Sequence, residues 1–485
     1  ARRVVEWVQQ YAGSADGPRP ARIDAAHWQR RLDALSALHG VPGAQLGILR
    51  YDPEDDDDVV TLVTGTLNQN LPSASAKALP DSLFQIGSIS KVWTATVIMR
   101  LVEDGHFTLD TLAKDIIPGL RLANDALSDG ITVRHLLTHT SGLDGDVFTD
   151  TGRGDDCLEK YVKLLAEVGQ NHPLGATWSY CNAGFSLLGR IIEQVTGKTW
   201  DDAMRELLFT PLGLTHTVTL PEEAILHSAA VGHVDAGEEQ ILAPVWSLPR
   251  SLGPAGLITA RAKDVLAFAR LHLAGGTGRD GERLLSAQTV ADMQAFHAEV
   301  PDKHVLGDSW GLGWIRFDWN GARLYGHDGN TIGQAAFLRV HPESGVAVTL
   351  LTNGGHTRDL YEDLYREIFA ELSGVRMQDP VQPPAEPVDV DITPFVGTYE
   401  RASVRTEVYV GDDGSPMMRT TVLGPLAELE PDPVDEYTLT ALSENVFALR
   451  QPGTQTWITV TFYTLPTGEE YVHFGARATP KVAAG

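Results

Sequence analysis

Residues 84–92 read Phe84-Gln85-Ile86-Gly87-Ser88-Ile89-Ser90-Lys91-Val92. The apolar positions that follow, Val92, Ala95, Met99 and Leu101, predict a helix opening at Ser88. On a helix, residues three apart share a face, so the Lys91 ammonium lies one turn above the Ser88 hydroxyl. A serine hydroxyl is a weak nucleophile until a neighbouring base takes its proton. A lysine can be that base if burial depresses its pKa. The start of the helix also offers N–H groups to a developing oxyanion. This is the chain's one Ser-x-x-Lys. In isolation the same residues also fit a capping serine beside a solvated lysine.

Outward from this helix the chain has a clear order. A helix is predicted over Ile23–His39, followed by strands Ala44–Leu49 and Val59–Thr64 around the acidic loop Asp52–Asp58, read as a solvated turn. Helical patterns dominate from Ser88 to about Leu208, and Arg261–Leu273 is another helix. Strands return at Gly313–Phe317, Ala335–Val340 and Val346–Thr352, before a helix Asp359–Leu372. Strands at both ends with helices between them predict an antiparallel sheet joining the two ends, an α+β layout. Beyond Met377 the composition changes. Pro380, Pro383, Pro384 and Pro387 mark a stiff linker over 379–391. Short strands then recur at Val404–Val410, Met417–Val422, Tyr437–Ala441, Val446–Arg450, Trp457–Tyr463 and Tyr471–Phe474, with turns at Asp413-Gly414 and Pro452-Gly453. They predict a small all-β barrel or sandwich. The expected domains are 1–378, the linker 379–391, and 392–485.

Two further clusters carry chemistry. Tyr180-Cys181-Asn182 precedes a helical run, Phe185–Val195. A tyrosine near a lysine can pass a proton to a leaving group, and an asparagine can hold a substrate amide. A buried aromatic followed by a capping Asn is the plainer alternative. His327-Asp328-Gly329 precedes the strand at Ala335. Gly329 would let substrate backbone approach, and the Asn330 N–H could complete an oxyanion hole. His473-Phe474-Gly475 matches the same tripeptide, but His473 reads as a strand residue of the small domain.

In the order Ser-x-x-Lys, Tyr-x-Asn, His-x-Gly, these pieces resemble the serine acyltransferases of the class C β-lactamase, DD-peptidase and penicillin-binding-protein superfamily. Phe84–Gly87, the run from His135 to Gly142 and Pro254–Thr259 share the likeness, which covers about Asp24 to Leu372. The resemblance implies an antiparallel sheet flanked by helices (an α/β sandwich) with a helical lobe, and a cleft between them. It implies an acyl-enzyme on Ser88, with Lys91 and Tyr180 as proton carriers assisted by His327. Asn182 would contact the substrate amide, and the Ser88 and Asn330 backbone N–H groups would form the oxyanion hole. Class C β-lactamases carry lysine where this chain has His327, so efficient β-lactamase activity is disfavoured and the charge on His327 is expected to tune the rate. The likeness is closer to DD-peptidases, D-aminopeptidases, esterases and penicillin-binding-protein-type thioesterases. Phe395–Glu400 looks like the opening of the lipocalin-like barrels appended to some of these, where the barrel contributes to the cleft.

Composition narrows the partners. The 485 residues carry 38 Lys and Arg against 64 Asp and Glu, a net charge of −26. Such a polyanion disfavours nucleic acid and anionic membrane surfaces, and no apolar run approaches the roughly 18 residues of a membrane span. The expected partner is a small-molecule or peptide acyl substrate, cleaved with water at an amide or ester bond. A transacylase or thioesterase would instead use an amine acceptor, and a non-turnover penicillin-binding or scaffold protein is the third reading. No cofactor or metal is expected: His135 and His139 are four apart, but no Glu follows His135. Cys157 and Cys181 could pair or stay free. The acidic loop Asp144–Asp156 reads as surface, or as a contact through Asp155 and Asp156 for a substrate amine. A cytoplasmic location is expected, the alternative being secretion with a leader removed.

Overall fold

The strand Gly43–Arg50 (β1) lacks the in–out alternation of a sheet with one wet face and is buried along nearly its whole length. It therefore needs cover on both sides, and its neighbours supply it. The computed structural model describes residues 22–482 except 55, 238, 387, 425–426, 428–432 and 452–453. Pro387 and the turn Pro452-Gly453 lie outside the described residues.

β1 pairs with Asp58–Gly65 (β2) on one side and with Val346–Thr352 on the other. The second pairing closes the two ends of the region into one sheet, as the sequence pattern predicts. Ala298–Glu299 (β3), Ser309–Trp310 (β4), Ile315–Trp319 (β5), Ala322–Asn330 (β6), Ala335–His341 (β7) and Val346–Thr352 (β8) complete eight antiparallel strands in the order β2-β1-β8-β7-β6-β5-β4-β3. Helices Ala25–Leu38 and Thr357–Ser373 bury Trp28, Leu32, Leu360, Leu364 and Ile368 with sheet residues such as Leu46, Ile48, Val348 and Leu350. Helix Ala262–Leu273 and the helical lobe share a second core that includes Leu266, Val92, Phe185 and Leu338.

Two expectations change. The acidic turn is only partly solvated: the nearly buried Asp57 pairs with Arg270, and Asp58 accepts from the Ile23 N–H at 2.6 Å. His327 does not merely precede a strand. It lies inside β6, opposite Leu338 of β7.

From residue 397 onward the described residues are organised in two β-sheets. Gly397–Arg401, Val404–Val410, Pro416–Val422 and Val434–Thr438 form a four-stranded sheet. Thr440–Ala441, Val446–Arg450, Trp457–Thr464, Glu470–Phe474 and Arg477–Pro480 form a five-stranded one. A bridge between Tyr399 and Lys481 joins them, and Tyr399, Val408, Phe447 and Phe462 share their core. The expected barrel is thus two sheets meeting at an edge, with no closed barrel among the described residues. Cys157 and Cys181 are both free and buried.

Gln45 shows how the sheet fixes the loop leading to Ser88. The residue is fully buried in β1. Its Nε2 donates to the carbonyls of Leu79 (2.7 Å) and Ser82 (2.8 Å), and its Oε1 accepts from the Ala262 N–H at 2.9 Å. Gln45→Leu keeps the volume but strands these three backbone groups. A destabilisation of at least about 2 kcal/mol is expected, read as a lower midpoint in thermal and urea unfolding.

Candidate active site

Ser88 sits in a single 3-10 turn, Gly87–Ile89, which runs directly into the helix Ser90–Glu103. The turn is possible because Gly87 takes a φ of +52°. Lys91, one turn on, is 0 % exposed. Its Nζ lies 3.0 Å from Ser88 Oγ and donates to the Ala255 carbonyl at 2.7 Å. Thr94 donates to the Pro254 carbonyl, and Ser90 Oγ accepts from the Ile258 N–H, so the Pro254–Thr259 segment is clipped to the same helix. Burial drives the Lys91 pKa well below that of an ordinary amine, and the Arg477 guanidinium adds to the effect.

Strand β6 packs tightly against this turn. A Cβ on Gly329 would lie 1.9 Å from the Ile86 carbonyl oxygen and 2.9 Å from the Ser88 nitrogen. A Cβ on Gly87 would lie 2.6 Å from the Asn330 nitrogen. Gly329 thus admits the nucleophile turn, and the close contact brings the Ser88 and Asn330 backbones together.

Tyr180 completes the group. The Ser88 hydroxyl lies near enough to favour the phenolate, and the ring centroid of Tyr180 is 4.7 Å from Lys91 Nζ. Burial raises the phenol pKa well above its usual value, so it stays protonated. The short segment that carries it is clamped on both sides. His139, itself at φ +57°, accepts from Ser179 N–H through its carbonyl (3.0 Å) and from Cys181 N–H through Nδ1 (2.9 Å). Its ring stacks on Tyr180 at 4.5 Å. From the other side, Tyr180 N–H donates to the Ala476 carbonyl, and Ala478 N–H to Ser179 Oγ. Trp178 and Trp310 close the aromatic surround. His135 points elsewhere: its Nδ1 caps its own helix against Thr132, so it does not converge with His139.

His327 is buried, with its ring 6.2 Å from that of Tyr180. Nδ1 lies 2.6 Å from the Asp328 carbonyl. A carbonyl can only accept, so Nδ1 carries the proton and Nε2 presents a lone pair. Among the described residues that Nε2 has no partner. Burial, aided by Lys91, pushes the imidazole down to about 3. The shift takes His327 further toward the neutral form than an exposed imidazole. The neighbouring Asp328 side chain turns the other way, into Arg339 (2.6 Å) and Arg358 (3.0 Å). His473 is a buried strand residue, as expected, packed beside Trp178.

The acidic loop meets the site through residues other than those expected. Asp155 and Asp156 face solvent and pair with Arg250 and Lys160. Asp144 instead accepts from the Ala402 N–H (2.8 Å), and Asp146 is the hub of a buried cluster. Asp146 Oδ1 accepts from Asn182 Nδ2 (3.2 Å) and Arg477 Nη2 (2.9 Å), while Oδ2 accepts from Arg401 Nη1 (2.6 Å) and Arg477 Nε (3.1 Å). Burial alone would raise this carboxyl's pKa, but the two guanidiniums outweigh it and hold the pKa well below the usual range. Asn182 is not a cap; the Cys181 sulfur caps that helix. With Nδ2 on Asp146, the Asn182 Oδ1 faces away from the carboxylate, free to accept. Sequence reasoning missed Asp146, His139, Arg401, Arg477 and the Ala255 carbonyl.

The Beta-lactamase family model matches residues 28–372. Penicillin-binding protein 4 of Amycolatopsis lactamdurans is 47% identical over 382 residues, 78% of this chain and 98% of that protein. The crystal structure of SurE superposes with a TM-score of 0.74 at 27% identity, covering 94% of this chain and 99% of that one, and SurE has also been solved with D-Leu. A D-stereospecific amidohydrolase from Streptomyces sp. superposes at 0.56 with 25% identity, over 73% of this chain and 99% of that one.

Gly329→Ala tests the packing of the nucleophile turn. The added methyl forces β6 and the turn apart, and a shift of about 1 Å in a reacting group costs roughly 10²-fold. An ester assay beside a thermal melt should show that loss in kcat with the fold retained.

Proposed function

Because the chain belongs to the Beta-lactamase family of serine hydrolases, we propose that it transfers acyl groups through an ester on Ser88, cleaving amide or ester bonds of small peptides. The observation that carries this reading is the 3.0 Å approach of Ser88 Oγ to a fully buried lysine amine. A neutral Lys91 has two N–H bonds and one lone pair. One N–H goes to the Ala255 carbonyl, and the lone pair is then available to the Ser88 hydroxyl proton.

In the proposed reaction, Ser88 Oγ attacks the carbonyl as its proton passes to Lys91. The Ser88 and Asn330 N–H groups receive the oxyanion. Tyr180, still protonated, gives its proton to the leaving group, and the Lys91 proton replaces it. The neutral His327 offers its Nε2 lone pair to steady the proton in transit. Asn182 Oδ1 accepts the substrate's amide N–H. Water, activated by the same groups in reverse, releases the acid. A D-residue on the acyl side is proposed, supported by the SurE structure with D-Leu and by the D-stereospecific amidohydrolase. The division at 378 and 392 belongs to the same proposal, supported by a run from 374 to 392 without helix or strand among its described residues.

The likeness to a penicillin-binding protein favours a second reading, in which the acyl-enzyme persists. Paired D- and L-aminoacyl p-nitrophenyl esters, assayed with wild type and Ser88→Ala, separate the two. Turnover of the D-ester that vanishes in the variant supports the hydrolase. A stoichiometric penicillin adduct on Ser88 with no turnover supports the second reading. An amine added to the assay diverts the acyl group only if the acceptor site admits amines.

The acid limb of kcat/KM should follow Lys91, because the base must be neutral, and should fall well below the ordinary amine value. No histidine limb is expected between about pH 5 and 9, as His327 does not titrate there. His327→Gln should leave the acid limb in place and lower kcat by roughly 10²-fold.

A further inference from the structure

The catalytic group is completed by a residue from the far end of the chain. Arg477 opens the last strand of the five-stranded sheet, just after Ala476 at φ +63°. Its guanidinium lies 4.8 Å from the Tyr180 ring centroid and grips Asp146 with two nitrogens. Asp146 in turn holds the Asn182 amide. The Ala476 carbonyl, one residue away, receives the Tyr180 N–H. Three separate contacts therefore run from one β-turn to the two functional residues of the Tyr-x-Asn motif.

We propose that Arg477 is a positioning residue of the reaction: through Asp146 it sets the orientation of the Asn182 amide, and it stands as a fixed cation on the ring of Tyr180, the same ring that the Lys91 amine faces. This rests on the reading of Lys91 as the base.

The geometry gives each half its reason. An amide held by one hydrogen bond to a freely rotating carboxylate is poorly fixed. The planar Arg477 fork locks the Asp146 carboxylate plane, and Arg401 takes the remaining direction on Oδ2. The charges facing Lys91 come from several elements. Ser88 on its own helix, Tyr180, Cys181, His139 and His327 are all neutral. Among the described residues Asp146 is the anion acting on Lys91 and Arg477 the cation beside it, while Asp328, paired with Arg339, stands beyond Tyr180 and His327. Removing Arg477 leaves Asp146 less compensated as well as deleting a positive charge. Both changes favour a protonated Lys91, so the acid limb must move to higher pH.

The test uses the full chain and an N-acetyl-D-aminoacyl p-nitrophenyl ester, which has no carboxylate for an arginine to bind. Arg477→Met is expected to lower kcat about 10-fold or more and to raise the acid limb by about one pH unit. Arg477→Lys keeps the charge without the fork, so the acid limb should stay near that of the wild type while kcat remains depressed. A thermal melt of each variant accompanies the kinetics. A fall in activity that only tracks loss of folded protein, with the limb unmoved in both variants, would overturn the proposal in favour of a purely structural pair. Unchanged kcat on this ester with a higher KM for substrates bearing a carboxylate would overturn it in favour of a substrate contact. Ser88→Ala run in parallel keeps the two questions apart: if it retains turnover, the acyl-enzyme reading itself fails.

Discussion

The burial of one amine organises the active centre. A lysine with no exposed surface cannot stay charged without a close counter-ion. Among the described residues no carboxylate contacts Lys91 Nζ; it has a carbonyl, a hydroxyl and the faces of Tyr180 and Phe185. The structure therefore keeps the amine neutral and next to the one hydroxyl that needs a base. Other features follow from holding that pair still. Gly87 and Gly329 let strand and turn approach until their backbones touch, and the Pro254–Thr259 segment presents the Ala255 carbonyl. Gln45 ties the incoming loop to the centre of the sheet.

The tyrosine that must return the proton is held differently. It lies on a segment outside any helix or strand, at the seam between the helical lobe and the C-terminal sheets. An unsupported segment would carry unpaired backbone groups and a mobile ring. Here the successive N–H groups of Ser179, Tyr180 and Cys181 go to His139, Ala476 and His139. The segment behaves as a strand whose two neighbours belong to different parts of the chain. The C-terminal sheets are thus part of the wall of the site, and the two parts of the chain must dock before the tyrosine is fixed.

Much of this was legible in the sequence, and the misses have physical causes. Helix Ala262–Leu273 and strands Val346–Thr352, Val404–Val410 and Val446–Arg450 carry strong apolar patterns that no tertiary contact overrides. Ser88, Lys91, Tyr180, Asn182, His327, Gly329 and Asn330 do converge on one place. Strand β6 was hidden because Gly326, Asp328, Gly329 and Asn330 are turn formers by local preference. Two of them are there because neighbouring backbone occupies the space of a side chain: a Cβ on Gly326 would lie 2.0 Å from the Leu338 carbonyl oxygen. Asp146 was read only as one charge of an acidic loop. Its partners Arg401 and Arg477 stand 255 and 331 residues away, beyond any local pattern.

The replacement of lysine by histidine in the third motif acquires a physical sense from these long-range pairs. A neutral His327 removes a cation from the sheet side of the site. The site nevertheless keeps guanidiniums on two sides: Arg401 and Arg477 face Asp146, and Arg339 and Arg358 face Asp328. In each cluster two guanidiniums meet one shared carboxylate, with Glu362 also against Arg358 and Asp144 beside the Asp146 group. In a chain with a net charge of −26 this gathering of guanidiniums is not a reflection of composition. It is held in place by buried ion pairs, where low dielectric makes a charge count for more than on the surface. Unlike a lysine in the third motif, it is supplied in part by the C-terminal sheets, so the catalytic electrostatics depend on how those sheets dock.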